Sequence, residues 1–333
     1  MLSAVENLKE TLKVSGKPDR LVNDYEAFGI VDNDPVYILT RGNRIKGKTT
    51  KDAWGVTITW PEDQLFAFPT EDDKVCPDIT EWKKTVKVPD LVGKCSDPAL
   101  WKNAKELAEK FRREGKLVTA YMGTGIFEQA HDLMGMADAC MNFLMEPEDM
   151  HDLLDAIGEY RYQYAKLLVE NLHPDAVLSH DDWGSKTSLF MSPETWREFF
   201  KPLYARIYGM MKENGVMVVH HADSYLTPLV EDMVDLGIDI WQGVLNTNDI
   251  CKLQEQLQGR MTLMGGVDSW VDRADSTEDE IRAEVRKVCE TYGPGGHFIP
   301  SITYGRPGTL FPHVNKILVD EIHRYNQDTY GIG

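Results

Sequence analysis

Positive charge is scarce in this chain. Its 333 residues carry 36 Lys+Arg against 54 Asp+Glu, a net charge of −18. Binding a phosphate backbone needs a basic surface, so the composition argues against a nucleic-acid partner and assigns the acidic excess to solubility. Long apolar runs are also lacking. None reaches the ~18 residues that a membrane span requires, and Met1-Leu2-Ser3-Ala4-Val5-Glu6 has no apolar core of a signal peptide. Cysteine is sparse and odd in number. Cys76, Cys95, Cys140, Cys251 and Cys289 form no C-x-x-C pair, which argues against a disulfide framework or a thiolate zinc knuckle and for reduced, mostly buried thiols. No G-x-G-x-x-G follows a strand and opens a helix, so a dinucleotide fold has little support. Internal repeats and low-complexity segments are absent. Together these absences point to a cytoplasmic globular protein with no membrane or nucleic-acid partner.

What is present is a globular composition, 42% hydrophobic and 27% charged, enough for a full core. From about residue 97 strand and helix signals alternate. Ser96-Asp97-Pro98 predicts a helix start, with a capping side chain before proline at the first helical position. Apolar strands are expected over 117–122, 176–180, 215–221, 239–244, 261–266 and 297–300. Helices are expected across 127–143, 147–172, 225–236, 248–257 and 276–291, and from about 312 onward. After Ser192-Pro193-Glu194 the apolar positions Trp196, Phe199, Phe200, Leu203, Ile207 and Met210 keep helical spacing, and Pro202 is expected to bend that helix. Met134, Met136, Met141 and Met145 read as core filling. Short apolar strands alternating with helices signal a parallel sheet. The fold class expected is therefore α/β, a (β/α)8 TIM-type barrel forming a single domain over 1–333. Residues 1–95 differ from the regular 96–333 part. They are read as an N-terminal extension with a first helix, a first strand within 21–31, and an irregular insertion or hairpin over 36–70 that caps the barrel mouth.

Polar residues collect where the expected strands stop. Tyr121 and Glu128 flank one loop, His180, Asp181 and Asp182 follow the next strand, and His220, His221 and Asp223 the next. Asp268 follows another, and Ser301, Thr303 and Tyr304 the last. In a β/α barrel such loops surround one pocket, where imidazoles and carboxylates bind a metal or move protons. Each residue also has a structural alternative. Asp181, Asp182 and Asp223 suit caps and turns, and Glu128 suits a first helical turn. Tyr304 suits lid packing. Side chains alternate along a strand, so one of His220 and His221 must face the helix layer.

At these residues the chain resembles the uroporphyrinogen decarboxylase superfamily, and is most similar to its branch of cobalamin-dependent methyltransferases and O-demethylases. The segments that carry the likeness are Lys17-Pro18-Asp19-Arg20, Asp52-Ala53-Trp54-Gly55-Val56 and His180-Asp181-Asp182-Trp183-Gly184. Met191-Ser192-Pro193-Glu194 with Lys201-Pro202, His221-Ala222-Asp223, Gly265-Gly266-Val267-Asp268 and Pro312-His313-Val314-Asn315 complete the series. In members that carry zinc, a strand ends in His-x-Cys-Gly and a second Cys follows the last strand. With Gly237 set on the helix-ending glycine of that motif, His221 takes the His position, Asp223 the first Cys, and the second falls near Ser301. Both thiolates are missing, which weakens zinc preference. Either His221 and Asp223 hold a harder-ligand metal with one more acid or His, or they act as acid and base without metal. The decarboxylase itself holds a tetrapyrrole with an Arg-rich motif, and Arg41-Gly42-Asn43-Arg44 is a loose echo of it.

The resemblance implies methyl transfer from a methoxylated, aromatic small molecule to Co(I) of a corrinoid (cobalamin) carried by a separate partner protein. An aryl methyl ether releases a phenolate, which a Lewis-acid metal or a proton donor must stabilise. His221 and Asp223 are expected in that duty, with Asp182 and His180 next. Tyr121, Trp54, Trp183 and Tyr304 are expected as aromatic walls and Glu128 as a further substrate contact. Rival readings are decarboxylation of an aromatic or tetrapyrrole acid, and a non-catalytic ligand-binding barrel.

Overall fold

The computed structural model describes the chain except Leu65, Glu71, Asp72, residues 305–307 and Gly333. The strands, in chain order, are β1 (Phe28–Val31), β2 (Lys48–Lys51), β3 (Thr57–Trp60), β4 (Phe68–Pro69) and β5 (Leu117–Met122). They continue as β6 (Ala176–His180), β7 (Met217–His221), β8 (Ile240–Val244), β9 (Thr262–Val267) and β10 (Phe298–Ile302). Seven of them form one parallel sheet in the order β1-β5-β6-β7-β8-β9-β10. Every neighbour is the next sheet strand in sequence, the signature of successive helix crossovers.

The sheet curls around its own apolar lining. Phe28, Leu117, Leu178, Val219, Ile240, Met264 and Ile299 come from all seven strands and pack in one inner cluster. The opposite parity, Val118, Val177, Val218, Trp241, Leu263 and Phe298, packs outward with the helices. This form is consistent with a TIM-type barrel, but the eighth strand of the expectation is absent among the described residues. The segment before β1 turns instead of extending, because Asp24 adopts a left-handed backbone (φ 50°). Its Val22 and Tyr25 side chains still enter the inner cluster. The sheet's two edges meet there, with the Asp24 carboxyl facing the Ser301 hydroxyl of β10. Asn326 of the last helix, Pro312–Tyr330, bonds the Leu21 backbone twice, at 3.1 and 2.9 Å.

Several local expectations changed for identifiable reasons. The helix expected across 127–143 is two helices, Ile126–Met134 and Met136–Met145, because Gly135 (φ 88°) ends the first. Met134 is buried, but Met136, Met141 and Met145 lie exposed on the second helix, so these three are not core filling. The segment at 225–236 holds only a 3-10 turn, Thr227–Leu229, and a short helix, Val230–Asp235. Pro202, lacking an N–H, separates Pro193–Phe199 from Lys201–Glu213. The described residues of the 36–70 region form a cap: helix Pro35–Arg41, then β2, β3 and β4 in an antiparallel sheet. No described helix is long and apolar enough to cross a membrane.

Candidate active site

Strand parity builds the site. Leu178, Val219 and Ile240 face the barrel interior, so two residues on His180, His221 and Gln242 face it too, at the C-terminal ends. The register pairs His180 with His221 and His221 with Gln242. The two imidazoles stack, with ring centroids 4.2 Å apart and planes at 25°. His220 has the other parity. It sits in the helix layer, its Nδ1 2.8 Å from the Tyr208 hydroxyl and its ring stacked on Trp183.

Above these strand ends lies a cavity of about 540 Å³. Tyr121 and Tyr304 contribute aromatic walls, and the capping sheet lowers Trp60, Phe66 and Phe68 over the opening. The cap also delivers Arg41 and Arg44 into the cavity. Gly42 (φ 65°) ends the helix that carries Arg41 and reverses the chain toward Arg44; a Cβ there would lie 2.8 Å from the Lys51 carbonyl oxygen. Nε of each arginine is buried without a hydrogen bond, and neither forms an ion pair among the described residues. Burial, with Arg41 as neighbour, holds Arg44 below its ordinary value. An adjoining lobe of about 240 Å³ runs down past Tyr37 to Gln242.

The acid–base groups are tightly wired. Glu128, in the first turn of its helix, accepts the Gly125 N–H at 2.8 Å and holds His180 Nδ1 at 3.0 Å. Burial opposes charge on both partners. Their mutual attraction wins, keeping Glu128 well below the usual carboxylate range and pushing His180 up to about 9. His221 is the opposite: burial, reinforced by the His180 charge, takes it down to about 3. Its Nδ1 bonds Gln242 Oε1. Asp182 Oδ1 accepts the Asp223 N–H and the Ser224 hydroxyl, each at 2.9 Å. Burial raises Asp182 to about 8 despite the pull of His180, with Asp223 and Glu128 adding repulsion. Asp223 also lines the cavity, its carboxyl raised by burial, and caps no helix.

Other expected residues lie elsewhere. Trp54 is no cavity wall; it is buried in the core with its ring 4.8 Å from that of Tyr160. Trp183 is buried behind the strands, its Nε1 donating to Asp181 at 2.9 Å. Asp181 is structural: it accepts the backbone N–H groups of Phe127 and Glu128 and thereby seats the start of helix Ile126–Met134. Gly125 must be glycine here, since a Cβ would lie 2.0 Å from Asp181 Cγ. Asp268 caps the turn Ser269–Val271, and Ser301 is fully buried, outside the cavity lining. Five contributors were not expected in the cavity. Gln242 sits two residues beyond an inward apolar residue. His131 and Asp132 also line the cavity, and their i+3 and i+4 spacing from Glu128 puts all three on one helix face. Arg44, with Arg41, depended on the cap.

Comparison with known proteins places this geometry in a family. The profile described as uroporphyrinogen decarboxylase (URO-D) matches residues 49–325. The chain belongs to the uroporphyrinogen decarboxylase family. Among curated relatives, the uroporphyrinogen decarboxylase of Thioalkalivibrio sulfidiphilus (strain HL-EbGR7) is 27% identical over 187 residues, 54% of this chain and 50% of that one. That of Burkholderia thailandensis is 26% identical over 184 residues, 54% and 48% of the two chains. The chain spans about half the length of the curated relatives it matches. A solved structure described as a methyltransferase from Methanosarcina mazei shares the fold, with a TM-score of 0.66 at 20% identity over 98% of this chain and 99% of that one.

As a uroporphyrinogen decarboxylase family member, the chain carries no thiolate at the positions where the resemblance implies zinc ligands. Of these three positions, His221 and Asp223 reach the cavity but Ser301 does not. All five cysteines are free and none lines the cavity.

Proposed function

We propose that this enzyme transfers a methyl group from a methoxylated aromatic molecule bearing an anionic substituent to Co(I) of a corrinoid protein docked over the cavity mouth. The observation that carries the reading is the His180–Glu128 pair beneath an aromatic-walled cavity. In ether cleavage the Co(I) electron pair forms the bond to the methyl carbon, and the O–CH3 electrons leave on the aryl oxygen. A phenol titrates near ~10. His180, at about 9, is protonated at neutral pH and closely matched to that oxygen as a proton donor. The duty expected of His221 and Asp223 therefore moves to His180. His221 stays neutral and acts as an acceptor, and Asp182 holds a second proton nearby. Tyr121, Tyr304 and the cap aromatics stack on the ring. Arg41 and Arg44 hold the anionic substituent. A reducing cytoplasm, where Co(I) persists, suits the five free cysteines.

The arginine pair also favours a second reading, decarboxylation of an aromatic or tetrapyrrole acid. One experiment separates them: incubate the protein with reduced corrinoid and a panel of methoxybenzoates, following the methyl–cobalt absorbance and carbon dioxide together. Methyl–cobalt formation that His180→Gln abolishes supports methyl transfer. Carbon dioxide without corrinoid supports decarboxylation. Tight binding with neither product identifies a non-catalytic barrel.

A further inference from the structure

We propose that His180, Asp182 and His221 bind a divalent transition-metal ion through two imidazoles and one carboxylate, in place of the family's thiolate zinc ligands. One ligand atom from each of the three lies within 4.8 Å of the others. They stand at the ends of adjacent strands of one sheet, a rigid platform for a fixed geometry.

The wiring around them is what metal ligands need. A coordinating histidine donates its other ring N–H to a carboxylate or carbonyl, which fixes tautomer and orientation. Here His180 Nδ1 is held by Glu128 and His221 Nδ1 by Gln242 Oε1. Asp182 Oδ1 is held by the Asp223 N–H and the Ser224 hydroxyl. Among the described residues, Nε2 of both histidines and Oδ2 of Asp182 make no hydrogen bond. Each ligand thus has one atom anchored and one left for the ion.

The donor chemistry sets the class of ion. Two nitrogens and one oxygen with no thiolate suit borderline divalent ions such as Zn(II), Co(II) or Fe(II), and three protein ligands leave open positions for a substrate oxygen. The ion also offsets the Asp182 carboxylate and the Glu128 charge behind His180. The ion and the Nε2 proton of His180 are alternative occupants of one position, so the site stands whether or not methyl transfer is the reaction.

The test uses the full chain, stripped with chelator and titrated with Co(II) under visible spectroscopy and with Zn(II) by calorimetry. The expected result is one ion per chain with the d–d bands of an N/O site. Asp182→Asn and His221→Ala should each weaken binding by at least ~100-fold, and Glu128→Gln and Gln242→Ala by ~10–100-fold as holders of the ligands. Ser301→Ala and Asp223→Asn should change affinity by less than about threefold, a limit set against that tenfold minimum. Far-UV circular dichroism checks folding, and the isosteric Asp182→Asn decides if His221→Ala does not fold. Absence of stoichiometric binding overturns the proposal. So does binding indifferent to Asp182→Asn, or binding lost in Asp223→Asn and Ser301→Ala, which puts the ion in the family's place. Metal binding without methyl transfer removes only the functional reading, and methyl transfer without metal binding removes only this site.

Discussion

Replacing Glu128 by Gln should strip His180 of its proton at mildly alkaline pH. The amide keeps an oxygen for the Gly125 N–H but loses the charge that offsets burial of the imidazolium. In the wild type, His180 titrates at about 9, against an ordinary value of 6.5. With Glu128 neutral, burial pulls it down, and we expect its hold on the proton to weaken about 100-fold. That change is worth about 2.7 kcal/mol at ~1.36 kcal/mol per tenfold. At pH 8 the protonated fraction falls about tenfold, and with it the rate of methyl–cobalt formation in chelator-treated protein. Imidazole NMR across pH 5–10 reads the titration directly. The sign for stability follows. A raised histidine stabilises the fold fully below its unfolded value of about 6.5, and that contribution disappears as pH rises through about 9. The wild-type advantage over Glu128→Gln in urea unfolding should therefore be larger at pH 7.5 than at pH 10. An unchanged His180 titration, or an alkaline limb that stays near pH 9 in the variant, would refute the reasoning.

Asp182→Asn should stabilise the protein at alkaline pH, because its carboxyl, about 8 when folded, carries a buried-charge cost that is complete above pH 8 and absent below 3.8. The gain over wild type should be largest above pH 8 and vanish near pH 4 by urea titration. Arg44→Ala, alone or with Arg41→Ala, should raise KM for a methoxybenzoate about 10–100-fold while leaving a neutral methoxyarene nearly unaffected. An equal effect on both donors removes the arginines from substrate recognition. Trp54→Ala should cost about 3–5 kcal/mol of stability by leaving a core cavity, with substrate KM changed little. A large KM effect in protein that remains folded would return Trp54 to the site. Gly125→Ala should destabilise folding, since its methyl collides with Asp181; a variant of wild-type melting temperature contradicts the close approach.

The strand–helix alternation after residue 97 was legible because each buried parallel strand is a short apolar run and each helix carries its cap and period. The pairing of inward His221 with outward His220 followed from alternation once the strand was known. Other features had no local mark. Trp54 and Trp183 look like pocket aromatics in sequence, yet both are core residues; burial depends on which layers pack behind the chain. Asp181 and Asp182 are neighbours with opposite fates, one tying down a helix across the sheet and one facing the cavity.

What the sequence by itself determined is the fold class, the family and the rim of polar residues at the strand ends, because these rest on periodicities and motifs contained within single segments. Only the tertiary structure decided that Glu128 charges His180, that Gln242 orients His221, and that Arg41 and Arg44 enter the same cavity. Those pairings join residues between 21 and 52 positions apart, or bring the cap over the barrel. A proton's affinity or a ligand's geometry depends on charges a few ångströms away in space, which chain order does not encode.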